Sequence, residues 1–455
     1  MSRIRIGCGA GFAGDRIAPA VDLVRDGRLD YLALECLGER TVALAQARRL
    51  RDPAGGADPL LAKRVRALAG PLAGTGTRLV TNAGAADPEA AARLVSRVSA
   101  EAGAPMDAAA VVGDDVLDRI DLAQPAWEDG KPLGEHGEIV SANAYIGAEA
   151  LLPALETGAR AVVCGRAADP SLFLAPMMHA FGWADDDWDT LARGTAVGHL
   201  LECAGQLTGG YFADPPYKTV PGLARLGYPL GEVAPDGSAV VTKLPDAGGV
   251  VDARTVAEQL AYEVTDPSAY LTPDVAADFT AVRADRVGPD RVEVRGAVGR
   301  PRPGTLKVSV GYRAGFRGEG EIGYAGRGAV ARARLAGEVV RERLGGAVPD
   351  LRVEVVGVDA MHGPQAGEGV EPYECRLRVA GRALDREAAE AVAEEVDALY
   401  TSGPAGGGGV RVRVEEVVGV LSAGIPRDAV ETRVVHVAAR AEERPTERPM
   451  DAEEG

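Results

Sequence analysis

"RIRIGCGAGFAGDRIAPAVDLVRDGRLDYLALE", residues 3–35, reads as strand, glycine turn, helix, strand. That order decides the fold class, because the pattern repeats. Strand-like "TRLVTNAG" (77–84) follows helical stretches at 39–50 and 59–71. "MDAAAVVGDD" (106–115), "EIVSANAY" (138–145) and "ARAVVCGR" (159–166) come next, with helical runs before the first and third. Short apolar strands separated by helices predict a mostly parallel, three-layer α/β sheet domain covered on both faces. We expect it over 1–210. A turn-rich segment, 211–302, completes the site, and a ferredoxin-like α+β domain follows over 303–427, in the order β-α-β-β-α-β. The charged, proline-bearing end, 428–455, reads as a largely disordered tail.

Composition narrows the function. The 455 residues carry 50 Lys+Arg against 67 Asp+Glu, a net charge of -17. That field repels phosphate backbones and argues against a nucleic-acid partner, though a local nest of backbone amides can still hold a small anion. No stretch approaches the roughly 20 apolar residues that span a bilayer, and "MSRIRIGCGAG" lacks a signal peptide's apolar run. The five cysteines are scattered without a CxxC pair, so neither zinc finger nor disulfide framework is indicated, and a cytoplasmic location is expected. Five dispersed histidines form no HxH or HExxH pair, so no metal site is expected. No G-x-S-x-G elbow or P-loop occurs.

The strands end in Gly9 and Gly11, Glu35, Asn82, Asp114 with Asp115, Asn143, and Arg166 with Asp169. Ligands of open parallel sheets sit beyond those carboxyl ends. Helix capping explains some of these residues as well, Asp87-Pro88 among them. Gly9-x-Gly11-x-x-Gly14 with Glu35 outlines a dinucleotide fingerprint, but "DRIAP" delays the helix. A phosphate or carboxylate nest, or a plain tight turn, fits the same residues. Arg166 suits a bidentate grip on an anion, or a local pair with Asp169. Further on, "HLLECAGQLTGGYFADPPYK" (199–218) closes a helix expected to stop at Gly209-Gly210. His199, Glu202 and Gln206 share its face, and Cys203 reads as core rather than nucleophile. Lys243 ends a strand just before Gly248-Gly249 and could carry a proton or simply be solvated.

Several of these stretches, with "TNAGAADP", "CGRAADPSL", "GHLLECAGQLTGGYFADP", "TKLPDAGGVV" and "QLAYEVTDPSAYLTPDVAADFT", resemble the acyclic terpene utilisation protein family over roughly residues 1–440. The resemblance implies a link to breakdown of branched terpenoid acids as CoA thioesters, without a defined reaction. The chain is therefore expected to be an enzyme of branched-chain or terpenoid acyl-CoA or carboxylate catabolism. Lyase, hydratase and thioester chemistry all remain open. Candidate catalytic residues are Glu35, Glu202 and Lys243, with Asn82 and Asn143 donating to a carbonyl oxygen. Candidate ligand-binding residues are Gly9, Gly11, Gly14, Asp15, Arg166, Asp169, Gln206, Gly209, Gly210 and Tyr211. The expected partner is a small anionic molecule, with a CoA thioester as candidate substrate and NAD(P) as the secondary cofactor candidate. Association into homo-oligomers or with acyl-CoA pathway enzymes is left open. Two alternatives stand beside this reading: a non-catalytic binding or scaffold subunit of an acyl-CoA pathway, and an NAD(P)-dependent oxidoreductase.

Overall fold

A computed structural model describes residues 3–439 as a mixed α/β chain with several sheets. It divides into two compact units. Of the described residues, the first takes in 3–130, 140–310 and 420–439; the second takes in 131–139 and 311–419.

The first unit is built on a ten-stranded sheet. Across it the strands run Arg283–Gly288, Arg291–Arg295, Ala239–Lys243, Pro229–Val233, Ile4–Ala10, Tyr31–Leu34, Arg78–Thr81, Ala161–Cys164, Ala108–Val112 and Arg433–Val437. The five from Ile4–Ala10 to Ala108–Val112 are parallel, and the flanking pairs are antiparallel. Their side chains are almost all buried, as expected for strands covered on both faces. Helices Ala18–Asp26, Leu61–Thr75 and Pro88–Glu101 pack on one another. Ala148–Glu156, Ser171–Phe181 and Trp188–Glu202 form a second set. Small side chains let helix and strand approach: a Cβ on Gly9 would lie 2.5 Å from Leu34 and 3.0 Å from Ala20. Asp87 caps its helix as expected, accepting from the Ala90 amide at 2.9 Å.

The second unit contains helices Ala329–Leu344 and Arg386–Asp397. The strand order of its sheet is Arg352–Val356, Glu374–Ala383, Thr305–Ala325, Gly408–Pro426. Tyr324, Val340, Leu377, Val379 and Val396 fill its core.

Four expectations need correction. The strand Ile139–Ala144 does not join the parallel set; it pairs with Thr305–Ala325. The segment 211–302, expected as turn-rich, also builds sheet: Pro229–Val233 pairs antiparallel with Ile4–Ala10 and extends the first sheet. The helix from Trp188 stops at Glu202 rather than at Gly209-Gly210; Cys203 leaves helical geometry and Ala204 takes a positive φ of 44°. Residues 428–437 are ordered: Arg433–Val437 pairs along Ala108–Val112. The remainder of the expected tail, from 440 on, lies outside the described residues. Among the described residues, no helix is long and apolar enough to cross a membrane.

The last strand covers a sheet edge. Truncation after Thr432 exposes that edge and is expected to cost on the order of 2–3 kcal/mol, from a few ladder bonds near 1 kcal/mol each. Urea unfolding followed by circular dichroism measures it; an unchanged midpoint would show that the strand contributes nothing.

Candidate active site

Four strands deliver side chains to one end of the first sheet. Glu35, Asn82, Asp114 and Arg166 follow Tyr31–Leu34, Arg78–Thr81, Ala108–Val112 and Ala161–Cys164 by one or two residues, and all four are buried. Parallel strands all end on the same side, so residues distant in sequence meet there.

Arg166 is 1% exposed. Its Nη1 donates to the Leu37 carbonyl and to Asp169 at 2.8 Å. Its guanidinium lies 4.0 Å from the centre of the Tyr145 ring. Burial disfavours its charge, but Asp169, Tyr145, Glu39 and Glu35 outweigh that. Of the two readings of Arg166, the local pair with Asp169 is the one formed, and among the described residues its buried Nε has no hydrogen-bond partner.

The nearby carboxyl groups differ sharply. Glu35 Oε1 accepts from the Leu37 amide at 2.8 Å and from Asn82 at 2.9 Å. Burial and the charge of Asp169 push Glu35 up to about 8, against Arg166 and Asn82. Asp114 accepts from Asn143 at 2.9 Å and from the Arg166 amide at 2.8 Å, and burial raises it to about 6. Glu39 goes the other way. Burial opposes its ionisation, but Arg166, the Tyr145 hydroxyl and Lys307 hold it down at about 2. Asn82 and Asn143, expected to serve a substrate carbonyl, instead hold acids of the chain itself.

The second half of the site comes from the helix Trp188–Glu202. His199 Nδ1 lies 2.8 Å from Glu202 Oε1. Tyr270 and Phe279 flank the imidazole, with ring centres 5.1 and 5.8 Å away. Burial pushes His199 down to about 4, although the Leu260 and Gln259 carbonyls favour its proton. Burial, then Asp169 and Glu263, push Glu202 well above the carboxylate range. Burial thus disfavours the charged form of both partners of this hydrogen bond. Among the described residues, buried Glu202 Oε2 has no hydrogen-bond partner. Asp169 joins the halves, since its charge bears on Glu35, Glu202, His199 and Cys203 alike.

The glycine loop does other work. The Gly11 amide donates to Asp15 at 2.8 Å, so the chain's own carboxylate occupies the expected anion nest. The carbonyls of Phe12 and Ala13 face Arg64, which is itself paired with Asp58 at 2.7 Å. Gly11 abuts the helix end: an added Cβ would lie 2.4 Å from the Glu202 carbonyl. Gly14 lets the Phe12 ring lie over it. Glu35 is buried and bonded to the Leu37 amide and Asn82, so it is not presented to a ribose as the fingerprint requires. Lys243 is likewise committed, donating to the Ala247 carbonyl at 2.8 Å and lying 3.2 Å from Asp290. Gln206, Gly210, Tyr211, Gly11 and Asp15 do meet, lining a cavity that Cys203 also reaches. Gly209 shapes the adjoining turn with a φ of 101°. Cys203 is only partly buried; burial and Glu202 push its thiol far up, against a nucleophile's role. Sequence reading missed Tyr270, Phe279, Tyr145 and Glu39, because aromatic and acidic residues at unrelated positions carry no local signal. Among the described residues, no group of three or more His, Cys, Asp or Glu is arranged to hold a metal.

Fold and site together define a mixed α/β protein that gathers buried, proton-holding carboxyl groups around an arginine and a histidine. The chain belongs to the family described as acyclic terpene utilisation family protein AtuA, whose profile matches residues 4–436. Membership implies a role in acyclic terpene utilisation. No curated protein and no solved structure matches the chain.

The Glu35 shift has a consequence for stability. Its folded value, about 8, exceeds the ordinary 4.5, so the unfolded chain loses this proton first as pH rises. The folded state then binds more protons, and stability falls between about pH 4.5 and 8. Glu35→Gln keeps the acceptor oxygen and removes the titration. Urea unfolding across that range should give a flatter stability profile for the variant; parallel profiles would refute the assignment.

Proposed function

We propose that the protein is an enzyme that transfers a proton to or from a branched, terpenoid acyl group, held as a carboxylate or CoA thioester. The observation that carries this is Glu202 Oε2, a buried carboxyl oxygen with no partner, in a cluster of raised carboxyl groups. Leaving such an atom unsatisfied costs about 1–3 kcal/mol, which is the usual mark of a group kept for a ligand or for chemistry. At neutral pH Glu202 holds its proton and acts as a general acid towards a substrate oxygen. Once the proton has gone, His199 in its Nδ1–H tautomer donates to the carboxylate left behind. Glu35, similarly protonated, is the second acid, and Arg166 offsets the negative charge that accumulates between them. Protonation of an oxygen is common to hydration, lyase and thioester chemistry, and acyl chemistry of this kind agrees with the family's role in acyclic terpene utilisation.

The architecture is proposed to be three-layered in the first unit and ferredoxin-like in the second. Two mutually packed sets of helices support the former. The order strand, helix, strand, strand, helix, strand, with the second strand at one edge of the sheet and the fourth at the other, supports the latter. Five free thiols suit a reducing compartment, and we place the protein in the cytoplasm on that ground.

Turnover of branched acyl-CoA thioesters by Glu202→Gln and Glu35→Gln is the test. Loss of a general acid lowers kcat by about 10²–10⁴-fold and removes the alkaline limb of the pH profile. Full turnover by both variants on the true substrate would refute the proposal.

A further inference from the structure

One face of the second unit's sheet is packed: Leu377 and Val379 of Glu374–Ala383 lie in the core with Val355. Side chains alternate along a strand, so Arg376, Arg378, Ala380 and Arg382 lie on the other face. The register places their neighbours. Glu354 and Glu321 oppose Arg378, Arg352 and Glu319 flank Ala380, and Arg317 stands opposite Arg382. Three arginines of this face meet a carboxylate: Arg378 pairs with Glu354 at 2.5 Å, Arg376 with Glu321 at 3.2 Å and Arg317 with Glu415 at 2.5 Å. The pattern breaks around Ala380. Arg317 and Arg382 are like charges directly across the ladder, an unfavourable arrangement when nothing lies between them. Among the described residues, neither Arg352 nor Arg382 has an ion-pair partner, and both are exposed. The Ala380 methyl group is too short to fill the space they surround. A cavity of about 670 Å³ opens there, lined by Arg317, Arg352, Arg378 and Arg382. Its acids are Glu354, committed to Arg378; Glu319, 3.8 Å from Arg317; and Asp350.

We infer that this pit is a binding site for a small molecule bearing a phosphate group. It is separate from the acid cluster, whose residues all belong to the first unit. Guanidinium forks grip oxyanions through paired N–H donors. One fork fills a single carboxylate, whereas a phosphate dianion offers three or four oxygens and takes forks from Arg317, Arg352 and Arg382 together. Bound there, it supplies the negative charge that the sheet lacks opposite Arg382. In a chain of net charge -17, such a gathering of cations is not what overall composition provides. The same overall charge repels long polyanions, so the ligand is a small one. The volume exceeds that of one phosphate group and lies within the roughly 300–1,000 Å³ that holds small ligands, leaving room for the molecule that carries it.

Isothermal titration of the full chain with inorganic pyrophosphate at fixed ionic strength tests this, with succinate as the comparison anion. Pyrophosphate is expected to bind and to raise the thermal unfolding midpoint, and succinate to bind at least about tenfold more weakly. Arg382→Ala and Arg352→Ala, both at exposed positions, are each expected to weaken pyrophosphate binding about tenfold or more, the scale of one charge-assisted hydrogen bond. Ala380→Glu places a carboxylate in the pit and should abolish binding. Without pyrophosphate, Arg382→Ala relieves the like-charge pair with Arg317 and should raise the midpoint. No binding by the wild type, or equal binding by all three variants, overturns the inference. So does an equal loss in Arg334→Ala, an exposed arginine outside the pit, or equal affinity for succinate.

Discussion

Arg166 is a permanent cation with almost no access to water, and the ends of four strands are arranged to satisfy it. Burying an unpaired charge costs several kcal/mol, so a fully buried guanidinium must be surrounded by compensating groups. Its Nη1 takes the Leu37 carbonyl and Asp169, its face takes the Tyr145 ring, and its amide takes Asp114. Those contacts tie the segments after Tyr31–Leu34, Ala108–Val112 and Ala161–Cys164 into one assembly. Asp169 also acts by its charge on His199 and Glu202, so both halves feel the groups gathered around this one cation.

The same charge explains why neighbouring carboxyl groups behave differently. Glu39 lies where Arg166, Lys307 and a tyrosine hydroxyl all favour ionisation, and burial loses. Glu35 lies four residues away, deeper, with Asp169 nearer in effect than Arg166, and burial wins. Among the described residues, the Glu202 carboxyl hydrogen-bonds only to His199, whose charged form burial disfavours. Pairs of acids pushed apart by their surroundings are how one site holds a proton and a charge at the same pH. A buried imidazole, packed against Tyr270 and Phe279 beside a carboxyl whose ionisation burial disfavours, adds little net charge to a site closed off from water.

How much was legible in the residues varies with the range of the forces involved. The alternation that begins with residues 3–35 reports local propensity and burial, and the parallel strands follow from it. That Glu35, Asn82, Asp114 and Arg166 gather at one end of the sheet follows too, because every parallel strand points the same way. The glycine loop was misleading for a physical reason. Glycine serves an anion nest and a tight backbone contact equally well, and here Gly11 presses on Glu202 and Cys203 while Asp15 takes its amide. Lys243 ends its strand as read, but Asp290 and the Ala247 carbonyl, neither of them strand neighbours in sequence, claim its ammonium group.

By itself the amino-acid sequence determined the α/β class and the family, and it offered Glu35, Arg166, Asp169, His199 and Glu202 among its candidate residues, since each of these rests on local pattern or residue chemistry. Only the tertiary structure decided which strands pair, that 229–233 and 433–437 complete the first sheet, and which acids keep their protons. Pairing and protonation are set by neighbours brought together over hundreds of residues, through desolvation and Coulomb interactions that no short window of sequence contains.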